Sequence, residues 1–144
     1  MGSEGPTEMA RASRYIYVVT AWAVVVGLVA QVLLIGMGLP LLGNSPSSID
    51  THKGLGWLVH LTPILVIPFA YLARAGSRHW QWAAASAVVV FLIPIFLVAG
   101  AGSPILKAMH PVSAFIGFVL AVVVAVNSVR ALNAPLPQPS QSAG

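Results

Sequence analysis

The stretch VVVGLVAQVLLIGMGLP, residues 24–40, recurs without a gap as VVVFLIPIFLVAGAGSP, residues 88–104. Val24, Val25 and Val26 align on Val88, Val89 and Val90, and Gly36, Gly38 and Pro40 on Gly100, Gly102 and Pro104. Each copy is an apolar run whose exit carries two glycines and a proline, residues that end a helix and turn the chain. A loop follows each copy, and then a histidine near the head of a new apolar run: His52 in one case, His110 in the other. The pattern predicts two tandem two-helix units. Units with the same topology are related by an axis along the membrane normal, as in other parallel repeats.

Composition says what those runs are for. Of 144 residues 58% are hydrophobic and 7% charged, against roughly 25% charged in a soluble domain. Such a chain cannot wet a water-facing surface. Its apolar residues fall into four blocks of about 15–39, 51–73, 80–99 and 105–132, each near the ~20 residues a helix needs to cross the hydrocarbon. The expected fold is an all-α membrane protein, a four-transmembrane-helix bundle over residues 14–132. Residues 1–13 read as a disordered cytoplasmic tail rather than a signal peptide, because the following apolar block is too long for one. Residues 133–144 read as a disordered, proline-rich cytoplasmic tail. Gly43, Asn44, Pro46 and Ser47 mark the first loop, and Arg74 to His79 the second.

Lysine and arginine orient the bundle. Arg11, Arg14, Arg74, Arg78 and Arg130 fall on one side and only Lys53 and Lys107 on the other. The positive-inside bias then puts both termini in the cytoplasm of a multi-pass protein of the cell membrane. Tyr15, Tyr17, Tyr71, Trp80 and Trp82 are expected in an inner aromatic belt, with Trp57 anchoring the outer one. The absence of cysteine removes disulfides, thiolate metal sites and thiol–disulfide chemistry. No basic run interleaved with aromatics suggests a nucleic-acid partner. Glu4, Glu8 and Asp50 are the only acids, so the spans hold no carboxylate of the kind proton- and sodium-coupled carriers use. Ser113 lies near His110 in sequence, but no acid is at hand to orient a base.

Polar residues inside the spans mark where function would lie, since they are costly there and face the interior. On the fourth span His110, Ala114, Gly117, Ala121, Ala125 and Ser128 recur at helical spacing. On the second, His52, Gly56, His60 and Pro63 share a broad face, and on the first Thr20, Ala23, Gly27, Gln31 and Gly38 do. Taken in up-down order, the second and fourth helices are diagonal, so His52 and His110 face one another in the outer half. From the span limits, His110 lies slightly deeper than His52 and shallower than His60. Two neutral imidazoles opposed across a dry bundle suit axial ligation of haem iron. His52 and His110 are the candidate ligands, with His60 the alternative to His52 or a donor behind it. Gly56 and Gly117 open a slot for the macrocycle, Gln31 and His60 tune it, and Lys53 and Lys107 pair with the propionates.

Gln31–Gly36 (Q-x4-G), His52–Gly56 (H-x3-G) and His110 resemble one half of haem A synthase and, more loosely, the cytochrome b561-type bundles. That resemblance implies b-type haem held by histidines at the outer ends of alternate helices. The glutamate that haem A synthase uses within its helices has no counterpart here, so its oxidative chemistry is not implied. The chain also resembles an uncharacterised bacterial family of four-helix membrane proteins with Q-x4-G in the first span and H-x3-G opening the second. That resemblance implies a membrane location and no established activity.

Two functions of different kind stand side by side. One is electron transfer through haem b, exchanging electrons with quinone or a redox partner. The other is a non-catalytic subunit or interaction protein, forming homo- or hetero-oligomers through its small-residue helix faces. A small carrier or sensor with a polar outer pocket is a third. On the structural side, His52 reads as an interfacial cap beside Asp50 and Thr51, and His60 as a donor to Gln31 or Thr62. His110 beside Pro111 reads as a helix-start residue, and His79 as solvated.

Overall fold

The computed structural model describes residues 6–38, 46–99 and 103–135, with side chains given from residue 8 onward and not at 98 and 99. Helix α1 is Pro6–Gly38, α2 Pro46–Leu72, α3 Ser77–Ala87, α4 Ile93–Ala99 and α5 Pro104–Asn133. A π-helical turn, Val88–Leu92, joins α3 to α4, so α3, the turn and α4 make the third long helix. Four helices are long and apolar enough to cross a membrane, as expected of an all-α membrane bundle. Their outer faces suit no other solvent: Val19, Val26, Val32, Phe96 and Phe115 are each more than 60% exposed.

The helices pack in up-down order. α1 lies against α2 and α5, α2 against α3, and α3 and α4 against α5. α2 and α5 therefore hold diagonal corners. The helix starts differ from expectation in an instructive way. α1 begins at Pro6, not near Tyr15, so residues 6–13 are helix rather than a disordered tail. Proline suits a first helical turn, and Glu8 in that turn suits the positive end of the helix dipole. What holds this extra length is burial: Ala10, Ser13 and Arg14 are all under 9% exposed. α2 likewise begins at Pro46, and α5 at Pro104 behind Ser103. Pro46 and Ser47 are thus first-turn residues rather than loop. Pro111, expected at a helix start, is inside α5. The second loop tightens to a turn in which Arg74 and Gly76 adopt positive φ. Gly43, Asn44 and the glycine and proline exits at Pro40, Gly100 and Gly102 lie outside the described residues.

The core is apolar and tight. Tyr17, Val24, Val66, Ala70, Ala83, Val90, Ala121 and Val124 form it together with Pro63 and Ser128. Small residues let α5 approach its neighbours: a Cβ built on Gly117 would lie 2.9 Å from Val90 Cγ2. Tyr17, expected in the interfacial belt, is fully buried, whereas Tyr15 and Tyr71 are exposed. On α1 the buried face is Tyr17, Ala21, Val24, Leu28 and Gln31, and Ala23 points outward. Thr20 is half-buried and turns its hydroxyl back on the Ile16 carbonyl at 2.7 Å.

Candidate functional site

The end of the bundle away from Arg14 contains a cleft of about 360 Å³ lined by His52, Lys53, Gly56, Trp57 and His60 of α2, Pro94 and Ile95 of α4, and His110 of α5. Its size is at the lower end of the range for small-molecule sites, about 300–1,000 Å³. His52, His60 and His110 thus line one space, and Trp57, Pro94 and Ile95 give it apolar walls.

Helix register explains the convergence. His52 is the seventh residue of α2 and His110 the seventh of α5, each counted from a first-position proline. The two therefore hold the same register position in their helices. His60 is eight residues further along α2, about 12 Å deeper at 1.5 Å per residue.

Each histidine has a different set of partners. His60 Nδ1–H donates to the Val90 carbonyl at 2.5 Å, and Thr62 is occupied with Leu58 O at 2.8 Å. Neither Gln31 nor Thr62 is therefore its partner. With Nδ1 protonated, neutral His60 keeps its lone pair on Nε2. His52 Nδ1 lies 3.2 Å from the Gln31 backbone carbonyl. With the Gln31 amide turned to satisfy both ends, its nitrogen lies 2.5 Å from His52 Nδ1 and 3.0 Å from the His52 carbonyl. Its oxygen then accepts from Gly56 N–H at 3.1 Å. Both tautomers of His52 thus find a partner: Nδ1–H on the Gln31 carbonyl, or bare Nδ1 accepting from the Gln31 amide. His110 Nδ1 is buried with no hydrogen-bond partner. Under the repeat alignment Gln31 corresponds to Ile95, an apolar residue, so the second unit has no glutamine to serve the equivalent histidine.

The remaining expected site residues divide. Gly56 is in the lining, and a Cβ built there would come no nearer than 3.9 Å to Gln31 Oε1 and 4.0 Å to His60 Cδ2. Gln31 stands behind His52, 6% exposed. Lys53 lies in the lining and reaches Asp50 at 3.4 Å, both side chains being mostly exposed. Lys107 is exposed and is not among the lining residues. Gly117 packs on Val90 and is not among them either. Among the described residues no three His, Cys, Asp or Glu side chains cluster closely enough to hold a bare metal ion. A site with a macrocycle needs only two protein ligands. Pro94 and Trp57 are lining residues that polarity alone did not single out. The signal for Pro94 was its place inside a span.

The other end holds a second polar group. Arg14, 3% exposed, donates from Nε to Ala73 O at 3.1 Å, from Nη2 to Pro135 O at 3.2 Å and from Nη1 to Ala134 O. His79, expected to be solvated, is half-buried, and its ring meets Tyr17 edge-on at 6.1 Å between centroids. The Tyr17 hydroxyl and His79 Nδ1 are both buried with no partner.

Comparison with known proteins gives no match: no family model, no curated protein and no solved structure is similar to the chain.

Proposed function

We propose that this chain is an electron-transfer protein of the cell membrane that holds one b-type haem in the outer cleft, with both termini in the cytoplasm. The observation that carries the reading is the convergence of His52 and His110, at matching register on two diagonal helices, on one cleft between apolar walls. The donor set fits the group. Imidazole is a haem ligand, no carboxylate or thiol competes in the lining, and Lys53 offers a cation for a propionate. Gly56 leaves room beside the ligand ring. A ligating histidine characteristically donates its other ring N–H to a carbonyl. His52 has that acceptor in the Gln31 backbone. Bound haem supplies one-electron chemistry. His52 and His110 would present two neutral imidazoles to it, Trp57 and Ile95 would shield it from water, and Lys53 would pair with a propionate. Quinone dissolved in the bilayer suits the exchange of electrons. The arginines at the opposite end support a cytoplasmic orientation for the termini.

One observation favours a second reading, a non-catalytic membrane subunit. His60 and His52 both make hydrogen bonds to backbone groups of neighbouring helices, which is what structural histidines do. An absorption spectrum of detergent-purified protein from haem-supplemented cells separates the two. The haem reading expects a Soret band and a sharp α-band on dithionite reduction, both lost in His110→Ala and in His52→Ala. A featureless spectrum from folded protein leaves the subunit reading.

A further inference from the structure

The third long helix is broken in its middle, and the break coincides with a hydrogen bond from another helix. In a regular α-helix the carbonyl of Val90 would take the N–H of the residue four positions on. That residue is Pro94, which has no N–H. The segment around it is wound as a π-helical turn, with Ile93 N–H bonded to Val88 O instead of a carbonyl four residues back. Val90 is 2% exposed, so no solvent reaches the carbonyl that loses this α-helical donor. In a membrane interior such a group must find a donor in the protein. His60 supplies it from α2, across the bundle.

We infer that His60 is a positioning residue, the donor that satisfies the carbonyl freed by Pro94, and that it thereby sets the wall of the outer cleft. The residues just past the break, Pro94 and Ile95, line the cleft opposite His52 and Lys53. α2 packs against α3 and the π turn, but makes no comparable packing with α4. The His60–Val90 bond is thus a polar tie between α2 and the third helix just where the helix turns from packed core to cleft wall. Its geometry also holds the ring in one tautomer. Gly117 contributes from the other side, since its missing Cβ is what lets α5 close on Val90. If the haem reading holds, the division of labour follows: His52 is the α2 ligand and His60 holds the wall. That last step rests on the haem reading, whereas the His60–Pro94 coupling does not.

The coupling makes an unusual demand, that the two residues suppress one another. Pro94→Ala restores the backbone N–H that serves Val90 once the turn rewinds as regular α-helix, which gives the carbonyl a donor of its own in place of His60. The measurement is the unfolding equilibrium of the full chain in mixed micelles, for wild type, His60→Leu, Pro94→Ala and the double variant. In the wild-type background His60→Leu should weaken the folding equilibrium about 3- to 20-fold, the range of interhelical hydrogen bonds in membranes. In the Pro94→Ala background the same change should cost less than about 2-fold. Equal losses in both backgrounds would overturn the inference. Should His60→Leu fail to fold, its recovery by Pro94→Ala supports the inference, and its failure in both backgrounds opposes it. A cysteine at Ile95, labelled with a water-soluble maleimide, reads the wall itself: labelling should rise in His60→Leu and return in the double variant. Unchanged labelling would leave His60 without a positioning role. The haem reading is judged separately. If haem binds, the double variant should keep its Soret band and His52→Ala should lose it.

Discussion

Arg14 ties three helices together through one side chain. Its guanidinium gathers the C-terminal end of α2, through Ala73 O, and the C-terminal end of α5, through Ala134 O and Pro135 O, onto α1. Helix C-termini carry partial negative charge and unsatisfied carbonyls, so an arginine fork is well matched to them. A hydrogen bond from a charged group is worth about 1.5–3 kcal/mol in soluble proteins, and interhelical bonds in membranes average about 0.6 kcal/mol. Taking about 1 kcal/mol for each of the three bonds, Arg14→Met should cost about 3 kcal/mol, roughly a hundredfold in the folding equilibrium. Methionine keeps much of the volume and removes the donors, so packing loss contributes little. Arg14→Lys should lose about half as much, because an ammonium keeps the charge but cannot span three carbonyls in one plane. The assay is unfolding of the purified protein by rising SDS fraction in mixed micelles, followed by circular dichroism. A midpoint for Arg14→Met within about 0.5 kcal/mol of wild type would refute the clasp. So would a lysine variant no better than methionine.

Two further outcomes follow from the packing. Tyr17→Phe should leave stability unchanged or raise it, since it removes a fully buried hydroxyl with no partner while keeping the ring against His79; a loss above about 1 kcal/mol in the same unfolding assay would mean the hydroxyl is bonded after all. Gly117→Leu should cost about 1–3 kcal/mol by overpacking against Val90, and Gly117→Ala should also cost about 1 kcal/mol, because its Cβ would lie 2.9 Å from Cγ2 of a buried β-branched side chain with little rotamer freedom; a leucine variant as stable as the parent would contradict the close approach.

Much of the architecture was legible before any coordinates. Span number, span order and the diagonal placement of α2 and α5 follow from length, hydropathy and turn residues, because lipid demands helices of a set length and loops short enough to join neighbours. Helix ends were less legible. Residues 6–13 carry enough polar character to read as a tail, and they are helix because Arg14 and its neighbours are buried against the far ends of α2 and α5.

Side-chain direction is where sequence reasoning stopped. His52, His60 and His110 were identifiable as polar residues in an apolar setting, and the structure brings them to one cleft. Their partners were not identifiable, because these depend on which backbone groups neighbouring helices leave unpaired. His60 pairs with a carbonyl thirty residues away that is available because of Pro94, rather than with Gln31 or Thr62. Tyr17 is core rather than belt, and Ala23 faces out while Val24 faces in. Hydrophobicity cannot sort these, since lipid and protein interior are about equally apolar and only shape and hydrogen bonding tell inside from outside. The sequence by itself therefore determined that four helices cross a layer and which polar groups they carry. Tertiary packing alone decided which faces meet and which carbonyl each polar group serves, because both depend on the register and approach of helices far apart along the chain.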